Sequence, residues 1–139
     1  MDLILFNKVI PVVNQLEMHP LCQRGRLRDI MKEYNVVPMA WAPLAECREG
    51  IMTNPTLVKI AEKHKKSVAQ VILRWDVQSG MITIPKSKHK SRIVENIALW
   101  DFALDEADMA EIATIDGGKP LIRNHHSADY PKGIYNYRL

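Results

Sequence analysis

Apolar residues recur along this chain in two alternating rhythms. Val12 to Leu16, Val36 to Trp41 and Met81 to Ile84 are short, dense apolar runs, as expected of strands in a parallel sheet buried on both faces. Between them the spacing turns helical. Leu27, Ile30, Met31 and Tyr34 stand at i, i+3, i+4 and i+7 and predict one apolar stripe between the first two strands. Asn54 and Pro55 predict a helix start, a cap followed by a first-turn proline, with Leu57, Ile60 and Ala61 on one face. Ser67 and Gln70 have capping-box spacing, Val68, Val71, Ile72 and Trp75 continue at helical intervals, and Gly80 supplies the stop. Asp105 predicts one more helix start, stapled by Leu104 against Met109 and closed by Gly117-Gly118. Past Pro120 the periodicity ends. The tail, 119–139, with His125-His126 and Tyr130, Tyr135 and Tyr137, is expected to run irregularly over the surface.

Strand, helix, strand, helices, strand, helix is a run of βα units, so the fold class is α/β with right-handed crossovers. Two architectures compete, an open doubly wound sheet and a (β/α)8 barrel. A complete barrel needs about 250 residues, whereas this chain has 139 and shows three strands. Length alone therefore argues against the barrel. No repeat, low-complexity stretch or long linker divides the chain, which is read as one domain over 1–139.

Composition narrows the function classes. The chain is 47% apolar and 25% charged, enough for an ordinary globular core. A net charge of +3 does not suggest nucleic acid as the main partner. No apolar run approaches the roughly 18 residues of a membrane span, and the N-terminus lacks a secretory pattern. Cys22 and Cys47 form neither a CxxC nor a disulfide framework, so a reducing cytoplasm and two free thiols are expected. No metal site is predicted.

Three segments at strand ends carry the candidate chemistry. They are Val13-Asn14-Gln15-Leu16-Glu17-Met18-His19-Pro20, then Ala40-Trp41-Ala42-Pro43-Leu44-Ala45, then Ile84-Pro85-Lys86-Ser87 followed by Arg92, Glu95 and Asn96. In this order and at these intervals they resemble the C-terminal half of the aldo-keto reductase family, particularly its bacterial diketogluconate-reductase-like branch. Ser67 to Trp75 and Trp100-Asp101-Phe102 resemble it too, so the likeness runs from about Pro11 to Gly118. The resemblance implies a partial (β/α)8 barrel whose strands correspond to the sixth, seventh and eighth. Residues 1–10 would then hold a remnant of the preceding helix at Leu3 to Phe6, and Met1 would be an internal start or the edge of a truncated product.

It also implies NADP(H) as cofactor and a small carbonyl compound as substrate. Lys86 and Ser87 directly follow the third strand and Arg92 lies six residues beyond Lys86, where phosphate sites of such folds gather. Lys, hydroxyl and Arg there would hold the 2′-phosphate that separates NADP from NAD. Glu95 and Asn96 would contact the adenine. The alternative for this group is a solvated basic loop. Trp41 matches the aromatic on which the nicotinamide stacks, its alternative being a core tryptophan. Gln15 matches the carboxamide partner, with donor and acceptor on one side chain; otherwise it is a polar plug. Ala42 stands where a serine is common and removes one pyrophosphate contact, while Leu44 keeps its family place.

No catalytic residue is assigned. The family's Asp, Tyr, Lys and His tetrad, and the Ser-Asn pair that also fixes the carboxamide, belong to strands upstream of these motifs. His19 aligns with a structural His-Pro. The chain is thus expected to carry the cofactor end, to lack the chemistry, and to be inactive alone. Three strands cut from a barrel leave two open edges and one uncovered face, so a separate N-terminal half or self-association is the expected remedy. One alternative is a non-catalytic fragment binding only the adenosine 2′-phosphate end of NADP. A remote one is a basic helix-turn unit on nucleic acid, Lys63 to Lys66, Ser67 to Gln78 and Lys86 to Arg92. Its second half is apolar and β-branched where a recognition helix should be.

Overall fold

A computed structural model describes residues 2–122. The expectations for the tail beyond Ile122 fall outside the described residues. Three parallel strands lie side by side in chain order, β1 (Val13–Glu17), β2 (Val37–Trp41) and β3 (Ile82–Thr83). The helices are α1 (Asp2–Leu5), α2 (Gly25–Glu33), α3 (Pro55–His64), α4 (Val68–Gln78), α5 (Lys90–Ile97) and α6 (Glu106–Ala113). The α/β expectation holds, with strand bounds shifted. Glu17 joins β1, Val12 and Val36 stay outside their strands, and β3 is only two residues long.

Local chemistry sets the helix ends. Asn54 caps α3, its side chain accepting from the N–H groups of Thr56 and Leu57. Ser67 and Gln70 close the capping box of α4. At the far end of α4, Gly80 takes φ +73°, and the N–H of Met81 returns to the Asp76 carbonyl at 3.0 Å, so the chain reverses directly into β3. The last helix departs from expectation: α6 ends at Ala113 rather than at Gly117-Gly118. There the Thr114 hydroxyl donates to the Glu111 carbonyl at 2.7 Å, and the Gly117 N–H is drawn to Leu21 at 3.0 Å.

The register divides the sheet into two unlike faces. Leu16 pairs with Ala40 and Ala40 with Thr83, so these share one side, and Leu16 and Ala40 pack into a core with Ile60, Val71, Ile72 and Trp75 from α3 and α4. Below Thr83, Asp76 of α4 is fully buried, and its Oδ2 accepts from the Thr83 hydroxyl at 2.7 Å. Burial pushes the Asp76 carboxyl well above the usual range, against the pull of the Thr83 hydrogen bond and of Arg28. The opposite side carries the rows Val13 with Val37 and Gln15 with Met39 and Ile82. Val13, Val37 and Ile82 are 39%, 37% and 39% exposed. The expectation of strands buried on both faces is therefore corrected. Among the described residues this second face is covered only at its Glu17 end, by Leu121 and Ile122, because α3 and α4 pack on the other side.

Candidate functional site

Parallel strands bring their carboxyl ends to one edge, and there β2 and β3 open into a cleft of about 490 Å³. Its lining comes from the exits of those two strands: Trp41 to Leu44, Glu46 and Cys47 after β2, and Ile84 to Lys86 after β3. Ala42 leaves β2 with φ +50°, and Ala45, Glu46 and Cys47 follow in left-handed conformation at +47°, +50° and +59°. For residues with a Cβ this costs roughly 1–2 kcal/mol each. Buried Ala45 and Ile51 pin the loop from beneath and hold it in that shape.

Four of the residues singled out from the sequence, Trp41, Ala42, Leu44 and Lys86, thus meet in one cleft. Trp41 is only partly buried, and the core tryptophan is Trp75. Gln15 does not line the cleft. It lies on the open sheet face, its Nε2 3.2 Å from the Met39 Sδ, two residues before Glu17, which is in register with Trp41. Ser87 spends its hydroxyl locally, accepting from the His89 N–H at 3.2 Å and so shaping the entry to α5. Arg92, Glu95 and Asn96 all lie on α5, outside the cleft lining. Glu95 is also held through its backbone, which accepts from Gln70 at 3.4 Å.

The start of α5 is electrostatically unusual. His89 at the N-cap makes no side-chain capping bond, and the first turn holds Lys90 and Arg92 with no acidic residue. Among the described residues no carboxylate pairs with Lys86, Lys88, Lys90 or Arg92. Uncapped N–H groups and the positive end of the helix dipole favour an anion here, and cations in the first turn intensify the demand. The family likeness singled out Lys86 and Arg92, and Pro43 stood within a quoted motif without a role; what sequence reasoning missed in the cleft is Glu46 and Cys47. No motif marks them; they reach the cleft rim from the left-handed stretch that follows β2.

Elsewhere burial acts on two titratable groups. His19 is fully buried, with Nε2 3.3 Å from the Glu17 Oε1. Burial lowers its pKa despite that partner. Burial also pushes the Cys22 thiol up to about 11, well away from reactivity. Cys47 is the exposed cysteine. No group of three or more His, Cys, Asp or Glu is placed to hold a metal ion, and no helix is long and apolar enough to cross a membrane, both among the described residues.

The model of the Aldo/keto reductase family matches residues 45–116, just over half of the chain. A 9,11-endoperoxide prostaglandin H2 reductase of Trypanosoma cruzi is 49% identical over 115 residues, covering 82% of this chain and 41% of that protein. An aldo-keto reductase from a Medee basin deep-sea metagenome library superimposes with a TM-score of 0.87 at 37% identity, over 92% of this chain and 48% of its own. A Bombyx mori aldo-keto reductase solved in complex with NADP gives 0.76 at 32% identity, over 84% and 41%. The chain therefore spans less than half the length of these relatives.

Proposed function

The chain belongs to the aldo/keto reductase family, with NADP(H) as its cofactor, and from that premise we propose that it forms the cofactor-binding part of a carbonyl reductase. Its three strands would correspond to the sixth, seventh and eighth of a (β/α)8 barrel. The observation that carries the proposal is the start of α5, without a side-chain cap or a first-turn acid and, among the described residues, without a carboxylate paired to Lys86 or Arg92. Lys86 and Arg92 would hold the 2′-phosphate, Arg92 through paired donors and Lys86 as a point charge. Ser87 would add its hydroxyl on leaving its local turn, and Glu95 and Asn96 would face the adenine. Leu44 and Ala42 would flank the pyrophosphate, Ala42 without the hydroxyl that a serine would bring. Trp41 offers a partly open ring for the nicotinamide, and Gln15 both a donor and an acceptor for its carboxamide.

When bound at these residues, NADPH would supply the hydride for the carbonyl carbon of a small aldehyde or a diketogluconate-like sugar. The oxygen then needs a positioned proton donor. Among the described residues the one tyrosine is Tyr34, the C-cap of α2. It precedes β2 and so lies at the opposite end of the sheet from the cleft. The chain alone is accordingly expected to bind cofactor and to turn nothing over. Mixing it with a segment comprising the first five βα units of a full-length family member should restore NADPH oxidation with a simple aldehyde. A mixture in which both parts fold and associate without turnover would overturn the proposal.

A second reading rests on the uncovered sheet face. Val13, Val37 and Ile82 form an apolar surface that a second copy could cover. Sedimentation of the lone chain distinguishes the two, since association that excludes the N-terminal segment favours the self-associating, non-catalytic form.

A further inference from the structure

Glu17 ends β1 on the open face, in register with Trp41 and two residues past Gln15. It is almost fully buried, a costly place for a carboxylate. Its Oε1 gathers three donors: the backbone N–H of Leu121 at 2.5 Å, that of Ile122 at 3.0 Å, and His19 Nε2 at 3.3 Å. Two successive backbone N–H groups converging on one carboxylate oxygen form a nest, here with its anion supplied from more than a hundred residues away. Neighbouring contacts bind the same two stretches together. Asp116 accepts from the Gln23 N–H at 3.1 Å, and the Gln23 side chain donates to the Ile112 carbonyl at 2.6 Å.

We propose that Glu17 is a positioning residue, whose carboxylate fixes the Leu121–Ile122 backbone across the end of β1 and thereby completes the nicotinamide end of the site. The inference rests on the assignment of Gln15 and Trp41 to the nicotinamide. Packing alone does not explain the arrangement. An apolar side chain would fill the volume, but it would leave two partly buried N–H groups without their acceptor.

The test uses Glu17→Leu and Glu17→Gln in the full chain, with two readouts. Amide exchange at Leu121 and Ile122 should quicken by about tenfold or more in Glu17→Leu, while the amide of Leu73 in α4 keeps its rate. Glu17→Gln, which retains a carbonyl acceptor, should restore most of the protection. In the second readout the affinity ratio of NADP to 2′,5′-ADP should fall in Glu17→Leu, with 2′,5′-ADP itself bound as before. Unchanged exchange, or an unchanged ratio, overturns the proposal. If Leu73 also quickens, Leu121→Pro takes the place of Glu17→Leu, because it removes a donor and spares the carboxylate. Exchange at Ile122 must then rise and the ratio must fall, or the proposal is overturned. Failure of wild-type chain to bind 2′,5′-ADP removes instead the cofactor assignment, and leaves the exchange result standing.

Discussion

The starts of α6 and α5 are two solutions to one problem, the unsatisfied N–H groups of a helix N-terminus. At α6 the chain answers from within. Asp105 accepts from the Asp108 N–H at 2.9 Å and Asp108 returns the bond at 3.1 Å. Lys63 bridges both carboxylates at 2.6 and 2.8 Å, and His64 reaches Asp108 at 2.7 Å. Burial works against the Asp108 charge, but these partners hold its pKa low all the same. At the start of α5 there is no side-chain cap and no acid in the first turn, and among the described residues no carboxylate pairs with its cations. A helix start satisfied internally secures the fold, whereas one left positive and open favours an anion from outside.

The strongest way to break this contrast is to remove the cations. Lys86→Ala with Arg92→Ala should weaken 2′,5′-ADP binding by about a hundredfold or more in calorimetric titration, each charge-assisted bond being worth about 1.5–3 kcal/mol. Retained affinity would mean that the open helix start is not the site. A smaller effect is expected where the cap is internal. Ser67→Ala breaks the capping box of α4 and should cost about 1 kcal/mol in chemical unfolding, with no change in nucleotide affinity. Lys90→Glu sharpens the comparison by giving α5 the first-turn acid that α6 already has. It should stabilise the chain by about 0.3–1 kcal/mol while weakening the nucleotide, so the two quantities move in opposite directions.

Acid titration should separate the two starts as well. The Lys63 hydrogen bond pulls the Asp105 carboxyl down to about 2. A depressed carboxylate contributes stability above its unfolded pKa near 3.9, and loses it as pH falls through the folded value. The melting-temperature advantage of wild type over Lys63→Met should hence be full above about pH 4 and gone near pH 2. Asp76 has the opposite sign. Its raised pKa gives a contribution that fades as pH rises, so the stability of Asp76→Asn relative to wild type should improve with increasing pH, and a difference that stays constant with pH would mean the carboxyl is ionised in the fold.

Much of this molecule was legible in the sequence because short-range chemistry writes it. Asn54-Pro55, Ser67 with Gln70, Asp105 and Gly80 all act within one helical turn, and each does what its spacing predicts. The end of α6 was not legible, since Gly117 is engaged by Leu21, distant in sequence. The exposed side of the sheet was illegible for a related reason. Val13 and Val37 have the composition of strands covered twice, and composition does not say whether the second cover lies within the described chain. In the site, the strand-end motifs led to Trp41 and Lys86. The placing of Glu46 and Cys47 along the cleft involves left-handed backbone at residues with no glycine to announce it. The anchoring of Leu121 to Glu17 joins positions that no local pattern connects.

The most direct measurement of the central claim is calorimetric titration of the lone chain with 2′,5′-ADP and with 5′-ADP at the same low ionic strength. An anion site at the start of α5 predicts binding of 2′,5′-ADP at least about tenfold tighter than of 5′-ADP, the worth of one charge-assisted contact, with the difference shrinking as salt is added. Equal affinity for the two nucleotides, in chain shown to be folded, would contradict it.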